Sequence, residues 1–169
     1  MGFRFQAVGL KDEWYTPPHI FEAMNCRFDL DVASPGATVV PWIPADDCYT
    51  EASIEKTWHG FVWMNPPFGK RNGIVPWLEK FLNHGNGVGL VPDRTSAPWW
   101  QQYIPKMEYT LFCSPKIKFL NLLEDGTISP GDSPAQGTCL FSLGEAGLIA
   151  LHNAARVGLG VLFAPINFE

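Results

Sequence analysis

Apolar positions in this chain change their spacing several times, and each change marks an element. Ile20, Phe21 and Met24 recur three and four residues apart behind Thr16-Pro17. That pattern predicts a helix with Thr16 as N-cap and Pro17 at the first helical position. Phe28-Asp29-Leu30-Asp31-Val32 alternates with period two and runs into Ala33-Ser34-Pro35-Gly36, a strand followed by a tight loop. Residues 37–58 carry no period and read as irregular, with acids at Asp46, Asp47 and Glu51. Gly60-Phe61-Val62-Trp63-Met64 is a continuous apolar run of the kind buried on both faces of a sheet. It stops at Asn65-Pro66-Pro67-Phe68. Helical spacing returns at Ile74, Trp77, Leu78, Phe81 and Leu82, and Gly87-Val88-Gly89-Leu90-Val91 forms another buried strand. A short helix is expected around Trp99, Trp100, Tyr103 and Ile104. Strands over 109–112 and 138–142, a helix over 147–156 and a closing strand over 158–163 complete the reading. Strand–helix alternation predicts an α/β domain with a mostly parallel sheet and helices on both faces. It is expected to be one three-layer domain over 1–169, with a loose segment at 1–12.

Composition narrows the class. With 46% apolar and 17% charged residues the chain can bury a core. Its 4 cysteines stand apart, without C-x-x-C pairs or histidines at ligand spacing, so no metal site is expected. No apolar run approaches a membrane span, and the first residues do not resemble a signal peptide, which predicts a soluble cytoplasmic protein. The net charge of −5 opposes unselective nucleic-acid binding and leaves room only for a local basic patch. Lys70, Arg71, Arg94, Lys116 and Lys118 are the candidates for such a rim.

Ligands of open α/β sheets bind outside the carboxyl ends of the strands. Three features fall there: the loop after Asp31, the tetrapeptide Asn65-Pro66-Pro67-Phe68, and the turn Pro92-Asp93-Arg94. The tetrapeptide has a chemical logic. Two prolines hold the backbone extended, so the Pro66 carbonyl and the Asn65 side-chain oxygen can address one point. An exocyclic amine on an aromatic ring has a delocalised lone pair; two acceptors on its N–H bonds would favour a pyramidal, nucleophilic nitrogen. The ring of Phe68 would stack the base.

The tetrapeptide resembles the (Asp/Asn/Ser)-Pro-Pro-(Tyr/Phe/Trp) motif of amino methyltransferases that use S-adenosylmethionine. Together with Asp12-Glu13-Trp14-Tyr15-Thr16-Pro17-Pro18, Phe28-Asp29-Leu30-Asp31-Val32-Ala33-Ser34 and Lys116-Ile117-Lys118-Phe119, it is similar in order to the phage-type DNA N6-adenine methyltransferases. The resemblance runs over roughly residues 12–143. It implies a class I, Rossmann-like methyltransferase fold, S-adenosylmethionine as cofactor, and an adenine flipped out of double-stranded DNA as acceptor. It also implies a bacterial host cytoplasm if the gene is phage-borne. Asn65, Pro66, Pro67 and Phe68 would be catalytic. Tyr15, Thr16, Pro17, Asp29, Asp31 and Ser34 would hold the cofactor, the acids facing its cationic amino group. The loop at 33–36 lacks the Gly-x-Gly of many methyltransferases. The stretch 49–54 lacks an Asp-Gly-Leu acid, which leaves Glu51 or Asp47 for the adenosine. Recognition of DNA falls to loops such as 121–136. The alternatives are transfer to an RNA base or a protein glutamine, and a non-catalytic binding module that keeps the fold.

Overall fold

The computed structural model describes residues 14–67, 73–123, 125–131 and 135–166. The first helix, α1 (Pro18–Met24), starts one residue later than the apolar spacing predicts. Pro17 occupies the N-cap at φ −71°, ψ 155°, because a residue that precedes proline is pushed out of the helical region, and Pro18 takes the first helical position. Thr16 therefore caps nothing, and its hydroxyl is free for another partner.

Strand β1 (Phe28–Asp31) pairs in parallel with β2 (Ala45–Cys48) on one side and with β3 (Val62–Met64) on the other. β2 lies inside the stretch read as irregular. Two exposed acids, Asp46 and Asp47, sit in its four residues, so it shows no apolar alternation; such charges suit an edge strand. β3 pairs in parallel with β4 (Gly87–Pro92) across helix α2 (Val75–His84). Helix α3 (Pro98–Tyr103), with a 3₁₀ turn at Ile104–Lys106, then leads to β5 (Tyr109–Cys113). A two-stranded hairpin, β6 (Leu120–Leu122) and β7 (Ile128–Pro130), replaces part of the loop expected over 121–136. β8 (Thr138–Leu143) inserts antiparallel between β4 and β5, helix α4 (Glu145–Arg156) follows, and β9 (Gly160–Phe163) closes the edge.

The sheet order is β2-β1-β3-β4-β8-β5-β9. β1, β3 and β4 are the parallel part that alternation predicts, and β2 extends it unforeseen; the ladders of β8 and β9 are antiparallel, so the sheet as a whole is mixed. Side chains alternate along β3: Val62 and Met64 join an apolar cluster with Leu78 and Phe81 of α2, whereas Trp63 joins a second cluster with Phe21 of α1 and Leu151 of α4. Among the described residues no helix is long and apolar enough to cross a membrane.

Gly89 shows how tightly the sheet is filled. A Cβ there would enter the ring of Phe141, which is fully buried and stands edge-on to Phe81 at 5.0 Å between centroids. The ring has nowhere to withdraw. Gly89→Ala is expected to destabilise the fold by about 2 kcal/mol, read as a lower urea midpoint with an unchanged slope.

Candidate active site

The parallel strands deliver their ends to one place. A cavity of about 310 Å³ is lined by residues 14–16, 31–35, 49–53 and 65–67, with Ile43, Trp63 and Trp77. Its floor and walls are tied by backbone bonds beyond the strands: Val32 N–H donates to Trp63 O (3.0 Å), Tyr49 N–H to Asp31 O (2.9 Å) and Ser34 N–H to Tyr49 O (3.1 Å). Register explains the gathering. Asp31 stands opposite Trp63 and Cys48, so the residues that succeed all three strands emerge side by side.

Asn65 enters from the end of β3, half-buried, with Pro66 buried behind it. Its Nδ2 donates to Trp14 O at 2.9 Å and to Thr16 Oγ1 at 3.1 Å. A backbone carbonyl can only accept, so the amide's orientation is set by its partners. Both amide hydrogens have acceptors, which leaves Oδ1 as the remaining acceptor of a side chain whose residue lines the cavity. Because each of Asn65 and Pro66 precedes a proline, both are held extended.

Asp31 is the electrostatic feature of the cavity. It is 2% exposed, and its Oδ1 accepts from Ala33 N–H at 3.2 Å. Among the described residues no cation lies within ion-pair distance of it. Burial raises its pKa from 3.8 to about 6, opposed only in part by the Ala33 N–H and the Ser34 hydroxyl. Ser34 is buried beside it, and its Oγ accepts from Gly36 N–H at 3.1 Å.

Of the residues named from sequence, Tyr15, Thr16, Asp31, Ser34, Asn65, Pro66 and Pro67 line the cavity together. Asp29 does not line it: it stands earlier on β1, exposed, and its Oδ2 accepts from Phe61 N–H at 2.6 Å. Pro17 is buried but stands outside the lining, at the helix start. Glu51 lines the cavity, whereas Asp47 faces His59 at 3.8 Å outside it. Arg94, Lys116 and Lys118 are exposed and outside the lining, and Lys116 Nζ donates to Ala135 O at 2.7 Å. Phe68, Lys70, Arg71 and the segment 1–12 lie outside the described residues. Sequence reasoning missed Trp14, because it acts through a backbone carbonyl that carries no side-chain signature. It also missed the apolar walls Ile43, Trp63 and Trp77, which read as ordinary core.

A cavity with a buried acid that has no ion-pair partner among the described residues and a proline-flanked amide, set at the carboxyl ends of parallel strands, has the position and make-up of a ligand site in an α/β protein. Comparison with protein families makes this specific. The chain belongs to the DNA N-6-adenine-methyltransferase (Dam) family, whose model matches residues 6–143. Neither the curated proteins nor the solved structures compared with it contain a match.

Proposed function

We propose that this protein is an adenine-specific DNA methyltransferase that uses S-adenosylmethionine and acts on N6 of an adenine turned out of double-stranded DNA. The observation that carries the reading is the Asn65 amide, whose two donors are consumed inside the protein so that its oxygen can serve an amino group in the cavity. Family membership supports the chemistry, and the order of β1, β3, β4 and the antiparallel β8 is compatible with a class I, Rossmann-like three-layer fold.

The residues present fit the cofactor. Asp31 is a buried carboxylate without a cation among the described residues, and the ligand's amino group is one. Ser34 and Tyr15 adjoin it, the apolar walls Ile43 and Trp63 suit the adenosine, and Glu51 suits its hydroxyls. When bound, S-adenosylmethionine supplies an electrophilic methyl group on a sulfonium. The chain's own part is positioning and electrostatics. Asn65 Oδ1 and the Pro66 carbonyl accept the two N6–H bonds, and Phe68 stacks the base. As N6 acquires positive charge its hydrogens become better donors, so both acceptors gain strength on the way to the transition state. The methylated nitrogen then loses a proton to water, which needs no strong base. Lys70, Arg71, Arg94, Lys116 and Lys118 are assigned to the phosphates of the DNA.

The test is transfer of labelled methyl groups to duplex DNA, to RNA and to protein. Incorporation into duplex DNA that emerges as N6-methyladenine on digestion is expected. Label confined to RNA or protein would replace the substrate assignment, and no label in any acceptor would remove the enzyme.

A further inference from the structure

We propose that residues 14–16 form a positioning element for Asn65, and that their geometry makes asparagine, and not aspartate, the residue this site requires. The inference rests on the reading of Asn65 as the acceptor for the target amino group.

The stretch is held from several sides before it meets Asn65. Tyr15 exchanges both backbone bonds with Leu120 of β6, at 3.0 and 2.9 Å. Trp42 Nε1 donates to Thr16 O at 2.9 Å, and the ring of Trp14 stands edge-on to Phe119 at 5.9 Å. Thr16 is 1% exposed, and Pro17-Pro18 stiffen the entry into α1. The two acceptors for Asn65 Nδ2 are therefore fixtures of the sheet and hairpin, set before any ligand arrives.

An ionised carboxylate at 65 would oppose an oxygen to the Trp14 carbonyl oxygen at hydrogen-bond distance. Lone pairs would face lone pairs, and the side chain would swing away or take up a proton. In its protonated form, O–H could donate to Trp14 O while the other oxygen kept the place of Oδ1. The charged and titratable groups that share the cavity with position 65 are the carboxyls of Asp31 and Glu51 and the phenols of Tyr15 and Tyr49, with no cation among the described lining residues. Two neighbouring carboxylates favour the protonated form further. Thr16 thus acts through Asn65 and is a positioning residue.

Three readouts test this. Thr16→Val keeps the shape and deletes the hydroxyl; kcat is expected to fall roughly five- to tenfold with an unchanged KM for S-adenosylmethionine, and Thr16→Ser to restore most of the loss. Asn65→Asp is expected to show a kcat that rises about tenfold for each unit by which pH is lowered toward neutrality, at saturating cofactor, while the native enzyme shows no such rise. In the cofactor-free protein, the side-chain amide protons of Asn65, assigned by their disappearance in Asn65→Ala, are expected to exchange slowly and to move in Thr16→Val. An Asn65→Asp enzyme as active as the native one at alkaline pH would overturn the proposal. So would a Thr16→Val effect confined to KM for the cofactor, or amide protons that exchange freely. The amide readout needs no methyl transfer, so a native protein that left adenine unmethylated would remove the function while this geometry was judged separately.

Discussion

Asn65→Ala is expected to lower kcat for adenine methylation by about two to three orders of magnitude, with the dissociation constant of S-adenosylmethionine changed by less than about threefold. The reason is where the interaction grows. In the ground state the N6 amino group is a modest donor and could as well be solvated. Once the nitrogen begins to carry positive charge, its hydrogens bind an acceptor more strongly, so the loss falls on the transition state and shows in kcat. The fold should tolerate the change. Asn65 is half-buried, and water can replace Nδ2 at the Trp14 carbonyl and the Thr16 hydroxyl, so a cost of about 1 kcal/mol is expected in chemical denaturation. Single-turnover kinetics on an adenine-containing duplex, alongside calorimetry with the cofactor, decides the matter. Loss of cofactor binding in step with turnover would move Asn65 into the cofactor's own pocket.

The elements that position this site are legible where burial imposes a period. The apolar run ending in Met64, the alternation over 28–32 and the helical spacing over 74–82 each mark an element that forms there, as β3, β1 and α2. The edge strand β2 is not legible, because an edge tolerates Asp46 and Asp47 and needs no apolar face. Nor is the β6–β7 hairpin, whose strands are three residues each and only partly buried. Within the site, Asn65 and Asp31 can be singled out because the proposed chemistry runs through their side chains, and both line the cavity. Asp29, two residues before Asp31, looks equivalent by residue type; but it stands earlier on the strand and spends its carboxylate on the Phe61 N–H. The role of Trp14 cannot be read, because any residue offers the same carbonyl. By sequence Thr16 is also a helix cap; the preference of Pro17 for extended backbone removes that role and gives its hydroxyl to Asn65, while Thr16 still lines the cavity.

Asp31→Asn is expected to weaken S-adenosylmethionine binding by about 3 kcal/mol, roughly a hundredfold, and at the same time to stabilise the ligand-free fold. The two effects share one cause. The native carboxylate is buried with no cation beside it among the described residues, and its pKa is raised to about 6. Between about pH 4 and 6 the unfolded chain has therefore released a proton that the folded chain still holds, so stability falls as pH rises through this window. Above it the charge costs about 3 kcal/mol, a part of which the neutral amide recovers. Cofactor binding runs in the opposite sense. The ligand's ammonium draws the acid into its charged form, so affinity should improve as pH rises toward about 6 and level off beyond it. In Asp31→Asn that dependence should vanish. The demethylated product keeps the ammonium and loses the sulfonium charge, so an acid that pairs with the ammonium should weaken both ligands by the same factor. Thermal unfolding of the free proteins and calorimetry across this pH range measure both effects. A variant that lost stability as well as affinity would make Asp31 a structural acid of the loop after β1, and a factor much larger for the cofactor than for its product would place the carboxylate beside the sulfonium instead.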